Sequence, residues 1–100
     1  MKIELLYFNG CPNHLPAAER VRAILGQEGV SGELSEVEVK DESAAQALAF
    51  PGSPTIRING VDIEPGARGA AHVGFACRRY PRGFPSEEMI RAAVREALKP

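Results

Sequence analysis

The sequence predicts an α/β domain with a four-stranded mixed sheet flanked by helices, in the order β-α-β-α-β-β-α. Three observations carry that prediction. An apolar, β-branched run opens the chain and gives way at once to a helical period. An Asn-Gly pair sits between two short apolar runs in the middle. An amphipathic stripe with a serine cap closes the chain.

Ile3–Phe8 is rich in β-branched and aromatic residues and is bounded by Asn9-Gly10, which reads as a strand. Its apolar residues are nearly continuous, as in a strand covered on both faces. From Leu15 the apolar residues Ala18, Val21, Ile24 and Leu25 recur at helical spacing. Pro12 and Pro16 are tolerated only in or just before a first turn. The helix therefore begins in the Cys11-Pro12-Asn13-His14 segment and stops near Gly29. Leu34–Val39 alternates as a second strand. Asp41-Glu42-Ser43 opens a short helix through Ala49, with Ser43 and Gln46 spaced as a capping box. Thr55–Ile58 and Val61–Ile63 form a hairpin about Asn59-Gly60. The last helix takes Ser86 as N-cap, Glu87 and Glu88 in its first turn, and an apolar stripe from Met89 to Leu98.

The chain has 100 residues, enough for one core and too few for two. We read 1–100 as a single domain with no linker or repeat. Its 44% hydrophobic and 25% charged content is that of a globular protein. The net charge of -1 points to neither nucleic acid nor an anionic membrane surface. No apolar run approaches the about 20 residues that span a bilayer. No secretory leader is visible at the start, so a cytoplasmic location is the expectation. Two cysteines are too few for a disulfide scaffold, and in a reducing compartment a working thiol is the better reading.

Gly10-Cys11-Pro12-Asn13-His14 at a strand–helix junction, followed by Gly52-Ser53-Pro54-Thr55 leading into a hairpin, resembles the thioredoxin superfamily. The resemblance covers Met1–Ile63 and Ser86–Leu98. More narrowly, Tyr7–Pro12 and Ser53–Gly60 are similar to small bacterial thioredoxin-like proteins. The resemblance implies a thioredoxin-like fold in which Pro54 is a cis-proline packed beside Cys11. It implies Cys11 as the nucleophile, with Pro12, Ser53, Pro54 and Thr55 on the substrate-binding side. The main chain of Ser53 would align a substrate strand by β-type hydrogen bonds. One departure matters. The redox family uses Cys-x-x-Cys, and here His14 stands in the second place. Dithiol chemistry through that motif is excluded.

Cys11 at a helix start lies among unpaired N–H groups at the positive end of the dipole, where a thiolate is stabilised. His14 is placed to polarise that thiol or to accept first-turn amides. Residues 65–85 form a loop insertion before the last helix, long enough to be functional. It carries Arg68, Arg78, Arg79 and Arg82 and no acidic residue. Cys77 lies beside Arg78 and Arg79. Either Cys77 closes on Cys11 as a distant resolving thiol, or Val73, Phe75 and Cys77 pack beneath the loop with the arginines solvated. Arg78 and Arg79 are candidate contacts for an anionic ligand such as a glutathione carboxylate.

Three functions follow. In the first, Cys11 attacks a protein or small-molecule disulfide, and Cys77 or an external thiol resolves the mixed disulfide, with glutathione as co-substrate and no other cofactor. In the second, Cys11 and Cys77, with one or both of His14 and His72, bind a thiophilic metal such as mercury or zinc. Some proteins resembling this one are labelled alkylmercury lyase, but His14 replaces the acid of that pattern, so the activity is not carried over. In the third, the fold is a non-catalytic adaptor that engages a partner through the Arg-rich loop.

Overall fold

A computed structural model describes residues 1–68 and 73–99. The elements among the described residues are β1 (Lys2–Tyr7), α1 (His14–Gln27), β2 (Glu33–Glu38), α2 (Glu42–Ala47), β3 (Thr55–Ile58), β4 (Val61–Asp62) and α3 (Glu87–Leu98), with a 3-10 turn at Pro65–Ala67. The four strands make one mixed sheet in the order β2-β1-β3-β4. β1 pairs with β2 in parallel and with β3 antiparallel, and β3 pairs antiparallel with β4.

β1 lies inside the sheet, which explains its nearly continuous apolar run, broken only by Glu4. Ile3 and Leu5 face a core shared with Ala18, Val21 and Ile24 of α1 and Ile90 and Val94 of α3. Leu6 faces the other side, where Val39, Ala45 and Phe50 form a second, smaller core. Strand side chains alternate between faces, so one strand feeds both cores. Phe50 is fully buried, and its truncation to Ala costs about 3–5 kcal/mol.

Local chemistry sets the boundaries. The hairpin turn has positive φ at both Asn59 (52°) and Gly60 (81°), the geometry that Asn-Gly selects. Ser86 caps α3 by accepting a hydrogen bond from the Met89 N–H at 3.2 Å. One detail differs from the sequence reading. α2 is capped by Asp41, whose carboxylate accepts from the Ala44 N–H at 2.8 Å, so the Ser43–Gln46 box is not formed and the helix ends at Ala47. α1 begins at His14, within the Cys11–His14 segment that the sequence indicates, and Asn13 in the N-cap position makes no side-chain capping bond. Pro16 then falls in the first turn, where its missing N–H costs nothing. Among the described residues no helix is long and apolar enough to cross a membrane.

Candidate functional site

The turn from β1 into α1 fixes Cys11. Gly10 takes a φ of 90°, which an L side chain rarely adopts, and turns the chain sharply. The Cys11 N–H donates to the Phe8 carbonyl at 3.2 Å. The next peptide group back, the Phe8 N–H, donates to Ser53 Oγ at 3.3 Å. Phe8 therefore holds Cys11 on one side and Ser53 on the other. Cys11 is partly exposed and carries a free thiol. Ser53–Pro54 is a cis peptide bond. Pro12 is exposed beside Cys11.

Cys77 is brought to Ser53 by the 65–85 insertion. Ser53 and Cys77 form a parallel bridge. The Ser53 N–H donates to the Ala76 carbonyl, and the Arg78 N–H donates to the Ser53 carbonyl, both at 2.9 Å. Upstream, the Gly74 N–H donates to Phe50 O at 2.9 Å. Gly74–Tyr80 thus runs as a short strap alongside Phe50–Thr55. Residues opposite one another across a β bridge share a face, so Cys77 lies on the side of the Ser53 hydroxyl. Its thiol is free and exposed.

The strap is bolted down by Arg78. Its guanidinium donates to Asp62 through two hydrogen bonds (2.8 and 2.9 Å), to Glu64 at 2.9 Å and to Thr55 Oγ1 at 3.1 Å. Arg78 is only 8% exposed. Burial opposes its charge, but the hydrogen bonds to Asp62 and Glu64 outweigh that penalty and hold it above its ordinary value. Two places on, Tyr80 is buried under the same guanidinium and donates its hydroxyl to the Pro54 carbonyl at 2.7 Å. Burial pushes its phenol well above the usual tyrosine range; the Arg78 charge only partly offsets this.

These contacts bear on several of the expected residues. Arg78 is buried in ion pairs with Asp62 and Glu64. Arg79 is exposed and keeps its place as a candidate for an anion. Thr55 is fully buried, donating to Gly52 O at 2.6 Å while accepting from Arg78. Ser53 is fully buried with both main-chain groups paired inside the chain. Pro54 is buried as well. Phe75 lies half outside the strap, its ring 5.4 Å from that of Phe8. Val73 packs against the smaller core.

His14 is drawn to Glu36 and not to the thiol. Its ring stacks on Tyr7, with centroids 3.6 Å apart and planes 7° apart, and Nε2 lies 2.6 Å from Glu36 Oε1. Arg22 reaches the other Glu36 oxygen at 3.1 Å. The hydrogen bond from Arg22, followed by that from His14, holds the Glu36 carboxyl below the usual range. As for a metal, among the described residues no three His, Cys, Asp or Glu side chains come together, and His72 lies outside the described residues. The described donors do not make the Cys2His2 set.

Asp62, Glu64 and Tyr80 escaped the sequence reading. No local sequence pattern points to them; Cys77, Arg78, Arg79 and Tyr80 alternate between exposed and buried only through their place in the fold.

The chain matches no family model, no curated protein and no solved structure.

Proposed function

We propose that this chain has a thioredoxin-like fold and acts as a thiol–disulfide redox protein, akin to the small bacterial thioredoxin-like proteins it resembles. Cys11 is its attacking thiol and Cys77 its resolving thiol. One observation carries the reading: Cys11 and Cys77, 66 positions apart, are tied to the two sides of one short path. Cys11 hangs on Phe8, Phe8 on the Ser53 hydroxyl, and Cys77 is bridged to Ser53. Both thiols are free, and both reach the surface.

The chemistry balances with these two groups. The Cys11 thiolate attacks one sulfur of a substrate disulfide, forming a mixed disulfide and expelling the first substrate thiolate. The Cys77 thiolate then attacks Cys11 Sγ and expels the second. Two electrons pass to the substrate, the protons of Cys11 and Cys77 end on the two product thiols, and a Cys11–Cys77 disulfide remains. An external thiol such as glutathione returns it to the dithiol form. A reducing cytoplasm is the compartment that suits this cycle.

The test is direct. Mild oxidation of the wild type, followed by peptide mass spectrometry, is expected to yield a Cys11–Cys77 cross-linked peptide. The Cys77→Ser variant is expected to accumulate a mixed disulfide on Cys11 when treated with oxidised glutathione. Absence of both products rejects the reading.

A further inference from the structure

A strand joins a sheet, or a peptide joins a protein edge, by finding an unpaired N–H and C=O on the same run of backbone. The hydroxyl of Ser53 accepts from the Phe8 N–H of the turn that carries Cys11, and this chain fills the Ser53 backbone with its own residues. The single N–H of Ser53 is used by Ala76 O, and its C=O by the Arg78 N–H. The neighbouring carbonyls are taken too: Gly52 O accepts from Thr55 and Pro54 O from Tyr80.

The strap is also built to stay. An intramolecular strand competes with any free peptide at high effective concentration. Lifting it would strip Arg78 from Asp62 and Glu64, leaving carboxylates without their partner. The closeness of the contact depends on Gly52. A Cβ at that position would lie 2.8 Å from Arg78 Cβ and 3.1 Å from Ala76 O, so only glycine lets the strap approach this far.

We propose that the Ala76–Arg78 strap permanently occupies the Ser53 backbone, so that Cys11 serves low-molecular-weight disulfides and not polypeptides laid across the site as an added strand. This rests on the reading of Cys11 as the attacking thiol. A cleft of about 220 Å³ lined by Phe8, Asn9, Glu38, Val39, Lys40 and Phe75 opens at the Phe8–Asn9 end of the turn.

Native-state hydrogen exchange on the wild type tests the strap, and disulfide kinetics test the selectivity. The Ser53 and Arg78 amides are expected to be protected at least about 100-fold over an unstructured chain. That protection should persist with a saturating linear peptide that carries its cysteine as a mixed disulfide. The peptide and its analogue N-methylated on both sides of that cysteine should then react with Cys11 at rates within about twofold, both slower than oxidised glutathione. Loss of Arg78 amide protection on adding the peptide, or a tenfold slowing by N-methylation, overturns the proposal. If no disulfide reacts with Cys11, the redox reading fails. Exchange at Ser53 and Arg78 still decides whether the strap holds.

Discussion

Arg78 and Asp62 meet through two parallel hydrogen bonds of 2.8 and 2.9 Å, with both side chains almost out of water. The geometry is the bidentate fork that only arginine offers. It joins the 65–85 insertion to the hairpin, and Glu64 and Thr55 complete the socket.

Arg78→Ala is therefore expected to destabilise the fold by about 3–5 kcal/mol, because Asp62 is left as an unpaired buried charge. Arg78→Lys should recover only part of this, since a lysine cannot serve both oxygens in the same plane. Arg79→Ala, one residue away and exposed, should stay within about 0.5 kcal/mol of wild type. Urea denaturation of the three variants checks the contrast. Equal losses at both positions would mean that the socket carries no weight.

Gly52→Ala tests the close approach from the other side. The residue has a φ of 137°, and an added Cβ meets the Arg78 backbone and side chain at 3.0 Å or less. Strain and overpacking each cost about 1–3 kcal/mol, and the chain can relieve the second only by moving the strap. The expected result is a lower urea midpoint together with faster exchange of the Arg78 amide. A lower midpoint with Arg78 protection unchanged would mean that the strap is held independently of Gly52.

Much of the architecture was legible because it is written in local periodicity. Ile3–Phe8 is nearly continuously apolar because β1 lies inside the sheet, Asn59-Gly60 took the turn it encodes, and Ser86 capped α3. The candidate site was only partly legible. Cys11 could be placed, because the strand–turn–helix junction is local. Arg78 could not, because its acidic partners lie 14 and 16 positions away in a different element. A loop without acidic residues looked like a solvated basic stretch, and nothing nearby in sequence showed that Asp62 and Glu64 would turn toward it. His14 was misdirected for a similar reason. Its partner Glu36 lies on β2, which becomes its neighbour only when the parallel strands register. Ser53 was read as an open edge because the strap that closes it is a long-range pairing with no local signature in the sequence.

Acid stability gives a separate test at the His14–Glu36–Arg22 cluster. Glu36 is held below the ordinary carboxyl value of 4.5 by Arg22 first and His14 second. In the unfolded chain it takes up a proton at about the ordinary value, so the unfolded state gains protons first as pH falls. The contribution is whole above about pH 4.5 and disappears as pH drops through the folded value. Glu36→Gln should flatten part of the stability loss between about pH 5 and pH 3, while costing about 1 kcal/mol or less at pH 7 because the pair is partly solvated. Chemical denaturation at several pH values checks both statements. A variant with the wild-type slope would rule out Glu36 as a source of that loss.

Tyr80 makes the opposite prediction at high pH. Its hydroxyl donates to Pro54 O and is buried, and burial first of all keeps the phenol neutral well above its ordinary value of 10. The unfolded chain ionises this tyrosine near 10 while the folded chain still holds the proton, so the unfolded state gains and stability falls as pH rises beyond 10. Below that value the group contributes no slope. Tyr80→Phe keeps the ring over Arg78 but removes the proton and the hydrogen bond. It should cost about 1–2 kcal/mol at neutral pH, since the buried Pro54 carbonyl loses its donor. It should also remove this group's share of the alkaline loss, so that wild type and variant converge above pH 10. The measurement is urea denaturation at pH 7, 9 and 11. Curves that stay parallel across that range would show that Tyr80 does not hold its proton in the folded state.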